Sequence, residues 1–240
     1  MYQNPEETGR DAEEQLGRDW AMFQSVEAGA SGSLYRCWET TGPVVVVGRS
    51  SRIDADVTLD ACRDDGVPVV RRFSGGGAVV LGPGCLNYAV ALSIVSRPEL
   101  AHVGTSFEFI LGRIVAALDV PGLSVAGETD LALAMRKVSG NAQRRGRRAL
   151  LHHGTLLYGF DPGLASRYLN EPVRQPAYRA ARRHEEFLGT LPLSADAIRT
   201  RLEAAWEACG HRGPGPGPSC AGTGHMHNGA DVPARTLFPV

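Results

Sequence analysis

Lysine is almost absent from this chain. Of its 25 basic residues, 24 are arginines and one, Lys137, is a lysine. Such a lysine is either a chance survivor of an arginine-rich composition or marks a position where a planar guanidinium cannot replace a compact ammonium. The composition leaves both interpretations open.

Several other features are also missing. The five cysteines never form a CxxC pair, so their spacing predicts neither a disulfide framework nor a metal site. No apolar run approaches the roughly 18 residues of a membrane span, and the acidic start lacks the apolar segment of a signal peptide. The 25 basic residues balance 26 acidic ones, which argues against a nucleic-acid-binding domain. We therefore expect a cytoplasmic protein that binds neither membrane nor nucleic acid.

The length and the 43% hydrophobic content fit one globular domain with a sizeable core. We place this domain at residues 1–209 and treat the Gly/Pro-rich residues 210–240 as a flexible tail. Apolar residues at helical spacing predict helices over 8–28 and 99–119, and a third helix after Ser194, a good N-cap.

Strand patterns fill the rest of the chain in hairpin-like runs. Residues 85–94 alternate between apolar and other side chains, which predicts a half-buried strand. Strands outnumber helices, so the fold class predicted is α+β, with a mixed, largely antiparallel sheet flanked by helices.

A glycine run follows one of these strands, in the sequence RRFSGGGA from Arg71 to Ala78. Glycine lets a ligand approach peptide N–H groups, and a neighbouring arginine supplies a cationic fork, which suits a carboxylate or a phosphate. A plain tight turn is the alternative. The run is neither a P-loop, since no Gly-Lys-Ser/Thr follows, nor a dinucleotide fingerprint, since a strand follows.

Two further segments could carry chemistry, KVSGNAQ starting at Lys137 and HHGTLL starting at His152. An ammonium on a strand could neutralise charge that develops between a carboxylate and a phosphate, although a solvated lysine is the simpler interpretation. Adjacent histidines on a strand point to opposite faces and are not expected to share a metal. We interpret His152 as structural and leave the role of His153 open.

Four motifs together, RRFSGGGAV, a G-x-x-D-L stretch at residues 127–131, KVSGNAQ and HHGTLL, resemble the lipoate-protein ligase A family within the biotin/lipoate protein ligase group. The resemblance covers roughly residues 10–190. It implies that group's catalytic-domain fold and the use of ATP with Mg²⁺ to convert lipoate or octanoate into an acyl-adenylate. The acyl group then passes to a lysine of a lipoyl carrier domain, of the 2-oxoacid dehydrogenase E2 or glycine cleavage H protein type.

The resemblance also implies roles for individual residues. Lys137 would be catalytic and reach the acyl carbonyl and the phosphate, and Asp130 would lie near the adenosine. The remaining substrate- and ATP-binding residues would be Arg72, Ser74, Gly75, Gly76, Gly77, Ala78, Val79, Val80, Gly140, Asn141, Ala142, His153, Gly154 and Thr155.

Other activities stay open at this point. Residues 81–82 are Leu-Gly where ligases usually carry His-Asp, and the following GPG resembles octanoyltransferases that take the acyl group from a carrier protein. Such a transferase needs a cysteine nucleophile, for which Cys85 or Cys220 would have to serve. The longest ligases carry an accessory domain, so either a separate chain supplies it here or the enzyme is not a self-sufficient ligase. A protein that binds lipoyl domains without turnover, and a ligase for biotin or another acyl substrate, are the remaining alternatives.

Overall fold

Residues 5–30 and 32–207 are described by the structure, which is a computed structural model. Seven α-helices occur in these residues, joined by short 3₁₀ turns at Pro98–Ala101 and Ala177–Arg179. The helices are α1 Pro5–Glu27, α2 Ile53–Asp56, α3 Leu59–Asp64, α4 Val103–Leu118, α5 Pro162–Tyr168, α6 His184–Phe187 and α7 Ala195–Glu207.

Nine strands form two sheets within the same residues. The strands are β1 Leu34–Trp38, β2 Val44–Val47, β3 Val69–Arg71, β4 Val79–Leu81, β5 Cys85–Ser93, β6 Ser124–Ala126, β7 Asp130–Leu133, β8 Arg136–Arg145 and β9 Ala149–Leu157. The larger sheet is antiparallel throughout, in the order β1-β5-β9-β8-β7-β6. The smaller sheet has the order β3-β2-β4, and its β2–β3 pair is parallel. The predicted fold class is thereby confirmed.

Helices cover both faces of the larger sheet. Leucines and isoleucines of α4 and α7 pack on one face, around Tyr88 and Leu150. Met22, Phe23 and Val26 of α1 pack on the other face. A separate apolar cluster joins the smaller sheet to α1, α3 and α5.

The helical predictions are largely confirmed. Ser194 caps α7, because its hydroxyl accepts a hydrogen bond from the N–H of Ala197 at 3.2 Å. The helix predicted over 99–119 is shorter, since His102 takes an extended conformation and separates a 3₁₀ turn from α4. The tail predicted over 210–240 lies outside the described residues.

The half-buried strand predicted at 85–94 is wrong in one respect. β5 lies between β1 and β9, and eight of its nine residues are buried. Its second face carries small side chains such as Ala89 and Ala91, which lie beneath α1. Alternation of large and small residues therefore marks a strand that is covered on both faces. Among the described residues, no helix has the length and apolarity needed to cross a membrane.

Candidate active site

A cleft of about 840 Å³ opens between the two sheets. We call residues 71–77 the glycine wall, and β7, β8 and β9 the lysine wall. The segment 170–188, which carries α6, forms a third side. Apolar side chains line part of the cleft, among them Leu16, Trp38, Val79 and Phe160.

Arg72 holds the glycine wall in shape. Its guanidinium is buried and donates to the Ser74 hydroxyl at 3.1 Å and to three backbone carbonyls, those of Val46 at 3.2 Å, Gly75 at 2.7 Å and Gly77 at 3.0 Å. Burial lowers the pKa of Arg72 to about 10, which leaves the guanidinium charged at neutral pH. Because these donors are directed at the loop itself, Arg72 acts mainly by fixing the backbone.

Two glycines are required by close contacts at this wall. Gly76 has φ +90°, and a Cβ there would lie 2.8 Å from Nη2 of Arg72. A Cβ on Gly48, at the end of β2, would lie 1.9 Å from the Gly76 carbonyl oxygen. A Cβ on Gly77, in contrast, would meet nothing within 4 Å. The run is packed against the residue that follows β2 on one side and is open to the cleft on the other.

His153 joins the two walls. Its Nε2 is hydrogen-bonded to the Ser74 hydroxyl, and its Nδ1 lies 3.9 Å from the Asp19 carboxylate of α1. Asp19 is also held by Arg36 and by the Trp38 indole, which donates to it at 3.3 Å. His153 thus links the glycine wall to β9 and to α1.

Lys137 and Asp130 form an ion pair on the lysine wall, with 2.9 Å between Nζ and Oδ1. The other carboxylate oxygen of Asp130 accepts a hydrogen bond from the Tyr178 hydroxyl at 2.8 Å. Burial, followed by the nearby Asp130 charge, raises the pKa of Tyr178. A Cβ on Gly140 would lie 2.8 Å from both Cε and Nζ of Lys137, so the missing side chain makes room for the ammonium.

A shift in strand register brings this pair together. Leu131 lies opposite Ser139, but Ala132 lies opposite Lys137, so Val138 is an extra residue on β8. In a regular strand, residues 137 and 140 would face opposite ways, since they are three apart. The bulge reverses this relation and places Lys137 on the same face as Asp130 and Gly140.

Asn141 fixes the adjacent turn. Its amide nitrogen donates to the Thr129 carbonyl at 2.8 Å, next to Asp130. A Cβ on Gly154 would lie 1.9 Å from the Asn141 side-chain oxygen, so a glycine is required where the two strands pair. The Thr155 hydroxyl accepts from the Gly140 N–H at 3.5 Å, beyond the last paired residues of β8 and β9.

Most residues predicted for the site line the cleft. Those that do so are Arg72, Gly76, Gly77, Ala78, Val79, Val80, Asp130, Lys137, Gly140, Asn141, Ala142, His153, Gly154 and Thr155. Ser74 and Gly75 belong to the glycine wall but do not line the cleft, and Arg72 donates a hydrogen bond to each of them. The structure pairs Asp130 directly with Lys137. It does not bring Cys85 to the cleft, because this thiol is fully buried in the apolar cluster of the smaller sheet.

The two histidines separate as predicted from their spacing. His152 is fully buried on the α4 face of the sheet, where it bonds Tyr88 and Gln143, and His153 faces Ser74 on the other side. Burial, with a smaller contribution from His153, lowers the pKa of His152 to about 3. The structural role predicted for His152 fits this position.

The sequence does not predict the third side of the cleft, and it does not predict the contact between His153 and Asp19 of α1. Arg179 and His184 line the cleft, and Tyr178 reaches Asp130 from the same segment, which has no strand or helix periodicity. Asp19 lies on a helix whose acidic residues look like a solvated face. Its spacing from Leu16 and Phe23 on the buried stripe was the one available signal.

Comparison with known protein families matches residues 11–191 to the lipoyl protein ligase A/B catalytic domain. The chain belongs to this family.

Curated relatives point to two activities. Putative lipoate-protein ligase A of Schizosaccharomyces pombe is 34% identical over 134 residues, covering 55% of this chain and 36% of that protein. Its namesake in Aeropyrum pernix is 34% identical over 143 residues, covering 59% and 51%. Octanoyl-[GcvH]:protein N-octanoyltransferase of Kyrpidia tusciae is 30% identical over 185 residues, covering 68% and 62%. The chain thus matches between about a third and two thirds of the length of these relatives.

Solved structures share the fold. A bi-partite lipoate protein ligase, described with its E2 lipoyl domain from Thermoplasma acidophilum, superposes with a TM-score of 0.68 at 21% identity, covering 82% of this chain and 78% of that chain. A lipoate-protein ligase A bound with ATP superposes with a TM-score of 0.66 at 23% identity, covering 82% and 80%.

Proposed function

We propose that this chain is an ATP-dependent lipoate- or octanoate-protein ligase. The Lys137–Asp130 pair in the cleft, facing a wall of glycine backbone, is the observation that carries the proposal. A fixed ammonium beside open peptide groups suits a reaction in which a carboxylate and a phosphate, both anionic, must meet. Membership of the family and the names of the Schizosaccharomyces pombe and Aeropyrum pernix relatives support the same activity.

The proposed reaction has two steps. The acyl carboxylate attacks the α-phosphate of ATP, and pyrophosphate leaves. The amine of a carrier lysine then attacks the acyl carbonyl, the bond to AMP breaks, and an amide forms. In both steps negative charge gathers on oxygens, where the Lys137 ammonium would stabilise it.

The walls would divide the binding task. Gly76 and Gly77 would present peptide groups to the nucleotide, while Ala78, Val79 and Val80 form the adjoining surface. The surface around Lys137 would be completed by Gly140, Asn141, Ala142, Gly154 and Thr155. The glycine wall would be kept in place by Arg72, Ser74, Gly75 and His153. The apolar part of the cleft lining, which includes Trp38 and Phe160, would take the acyl chain.

Mg²⁺ would enter with the nucleotide. In the described part of the chain, no group of three or more His, Cys, Asp or Glu could hold a metal ion. Mg²⁺ commonly binds through substrate phosphates with only one or two protein carboxylates, so the described residues fit a metal carried by ATP. Its role there would be to neutralise phosphate charge.

A cysteine-dependent octanoyltransferase is the second candidate, favoured by the Kyrpidia tusciae relative. That route needs an accessible thiolate. Burial raises the pKa of Cys85 to about 12, and that of Cys37 to about 11, and neither residue lines the cleft. Cys62 is also buried. Cys209 and Cys220 lie outside the described residues. The described thiols therefore support the ligase over the transferase.

The carrier would be a lipoyl domain of the E2 or H-protein type. A test incubates a purified lipoyl domain with the chain, lipoate or octanoate, ATP and Mg²⁺, and follows the domain's mass and pyrophosphate release. We expect the acyl mass to appear on the domain only when ATP is present. A parallel reaction without ATP offers octanoylated H protein as donor.

Acylation from the octanoylated donor without ATP, with an octanoyl adduct on the chain itself, would establish the transferase instead. Adenylate that forms but is not transferred would indicate that a separate accessory chain is needed. Release of pyrophosphate with biotin but not with lipoate or octanoate would reassign the acyl substrate.

A further inference from the structure

Behind the lysine wall, four polar side chains form a continuous row of hydrogen bonds. Gln143 contacts His152, His152 contacts Tyr88, and Tyr88 contacts Asn141, whose amide reaches the Thr129 carbonyl. Tyr88 and His152 are fully buried, so the polar atoms of these two side chains depend on their protein partners. Paired strands β5, β9 and β8 place all four side chains on one face of the sheet.

The group at each end of the row fixes the donor-to-acceptor direction of the hydrogen bonds. At one end, Nη1 of Arg145 lies 2.9 Å from Oε1 of Gln143, and a guanidinium can only donate. Arg145 is itself held by the carbonyls of Leu100 and Ala101 in the 3₁₀ turn. At the other end, the Thr129 carbonyl can only accept, and it receives the Asn141 amide nitrogen at 2.8 Å.

These two ends determine which atom carries the proton in every hydrogen bond between them. The Gln143 nitrogen must donate to Nδ1 of His152, 3.1 Å away, so Nδ1 is the acceptor and Nε2 carries the proton. Nε2–H then donates to the Tyr88 oxygen at 3.1 Å, and the Tyr88 hydroxyl donates to Oδ1 of Asn141. A second proton on His152 would face the Gln143 donor, and burial disfavours that charged form as well.

We propose that Gln143, His152 and Tyr88 are positioning residues, which fix the Asn141 amide and thereby the turn that holds Asp130 against Lys137. Asn141 donates a hydrogen bond to the backbone carbonyl directly before Asp130, and Asp130 forms the ion pair with the Lys137 ammonium. The inference rests on the proposed function, since Lys137 is the group to be positioned.

Gln143→Glu tests the direction with a substituent of nearly the same shape. A carboxylate still accepts from Arg145 but has no N–H for His152, so Nδ1 needs a proton. Because the buried ring disfavours the doubly protonated form, we expect that proton to be taken from Nε2. His152 Nε2 then becomes an acceptor, and the Tyr88 hydroxyl turns toward it and away from Asn141. We expect ¹⁵N NMR to show the Nε2–H tautomer in the wild type and a proton on Nδ1 in the variant.

The single lysine supplies a second readout. Labelling lysine with ¹³C at Cε gives one resonance, that of Lys137, whose shift reports its surroundings without any enzyme assay. We expect this resonance to move in Gln143→Glu, and kcat to fall by roughly tenfold or more with KM for ATP little changed. Tyr88→Phe removes one hydroxyl from the row and should produce the same two changes.

Ser106→Ala is the matched control. The Ser106 hydroxyl donates to the Val103 carbonyl at 2.7 Å and lies 3.0 Å from Oε1 of Gln143, but Arg145 alone suffices to fix that oxygen. Tautomer, lysine resonance and kcat should all stay as in the wild type.

An Nδ1–H tautomer in the wild type would overturn the direction of the row. A proton shift in Gln143→Glu that leaves the Lys137 resonance and kcat unchanged would show that the row is structural only. Failure of the ligase assay itself would leave both NMR results readable, so the two proposals can fail separately.

Discussion

The two walls of the cleft are built by different means. On the glycine wall, one side chain, Arg72, satisfies several backbone groups of a short loop close to it in sequence. On the lysine wall, Lys137 depends on a bulge in β8, on Asp130 from the next strand and on Tyr178 from a distant segment. The first wall is local, and the second is assembled from parts far apart in the chain.

This difference predicts how each wall responds to change. A local loop held by one buried arginine should lose stability and binding together when its backbone is disturbed. An assembled wall should lose reactivity first, because small displacements of Lys137 change the chemistry before they change the fold.

The largest effect is expected for Lys137→Arg. The guanidinium is longer and planar, and Gly140 leaves room only for a compact ammonium. We expect acyl transfer to fall about a hundredfold or more, by analogy with removal of an oxyanion donor, while the urea unfolding midpoint changes little. The lipoyl-domain mass assay and a denaturation curve measure the two.

Arg18→Lys serves as the control for this exchange. Arg18 is an exposed residue of α1 paired with Glu14, so the reverse replacement there should leave activity unchanged. Near-normal acyl transfer by Lys137→Arg would remove Lys137 from the mechanism. The lysine wall would then not differ from the glycine wall in its sensitivity to small displacements.

Much of the glycine wall could be predicted from sequence because its determinants are adjacent. The sequence predicts the loop almost completely, because three glycines follow a strand and an arginine lies two residues before the serine. What the sequence does not state is where Arg72 points. The pattern predicts a cationic fork for the ligand, yet the guanidinium donates to backbone carbonyls of the loop and of β2.

The lysine wall was predicted less completely, for physical reasons. Nothing in KVSGNAQ signals that Val138 is a bulge, and without it Lys137 would face away from Gly140. The Tyr178 contact joins positions 48 residues apart through a segment of irregular structure. The motifs KVSGNAQ and HHGTLL nevertheless fall on strands that line the cleft, and their glycines Gly140 and Gly154 lie where strands and side chains approach closely.

A matched pair of substitutions sharpens the view of the glycine wall. Gly76→Val forces a β-branched residue into φ +90° and against Arg72, and should lower the free energy of unfolding by about 2 kcal/mol or more. Gly77→Val has open space around its Cβ and should cost less than about 1 kcal/mol. Because Gly77 lines the cleft, we still expect a raised KM for ATP.

Chemical denaturation measures the loss of stability in both variants, and steady-state kinetics measures their KM for ATP. Equal loss of stability at the two positions would indicate a plain turn without a ligand-facing side.

A smaller effect is expected where α1 meets the lysine wall. The Glu27 carboxylate accepts from the N–H groups of Arg147, Arg148 and Ala149 in the β8–β9 turn, at 2.8 to 3.0 Å. Burial opposes the charge, but these donors hold the pKa of Glu27 below its usual value. The stabilisation is therefore present above the unfolded pKa of about 4.3 and is lost as the pH falls through the lower, folded value.

Glu27→Gln should reduce stability by about 1 kcal/mol or less at pH 7, since the site is open to solvent. The difference from the wild type should begin to shrink as the pH falls below about 4.3 and should vanish once the pH lies below the folded pKa of Glu27. A constant difference across this range, seen in thermal unfolding at several pH values, would show that packing and not charge holds the helix to the turn.

The smallest effect on activity is expected for Cys85→Ala. Cys85 lies behind the cleft, in the apolar cluster of the smaller sheet, and its thiol is protonated at neutral pH because burial raises its pKa to about 12. Alanine avoids burying the unpaired hydroxyl that serine would introduce. Adenylate chemistry needs no protein nucleophile, so the variant should keep most of its ATP-dependent acyl transfer, and intact-mass measurement should find no acyl adduct on either protein. A dead variant, together with an adduct on the wild type that hydroxylamine removes, would place the reacting atom on β5 and not on β8, and the lysine wall would no longer be the reactive side of the cleft.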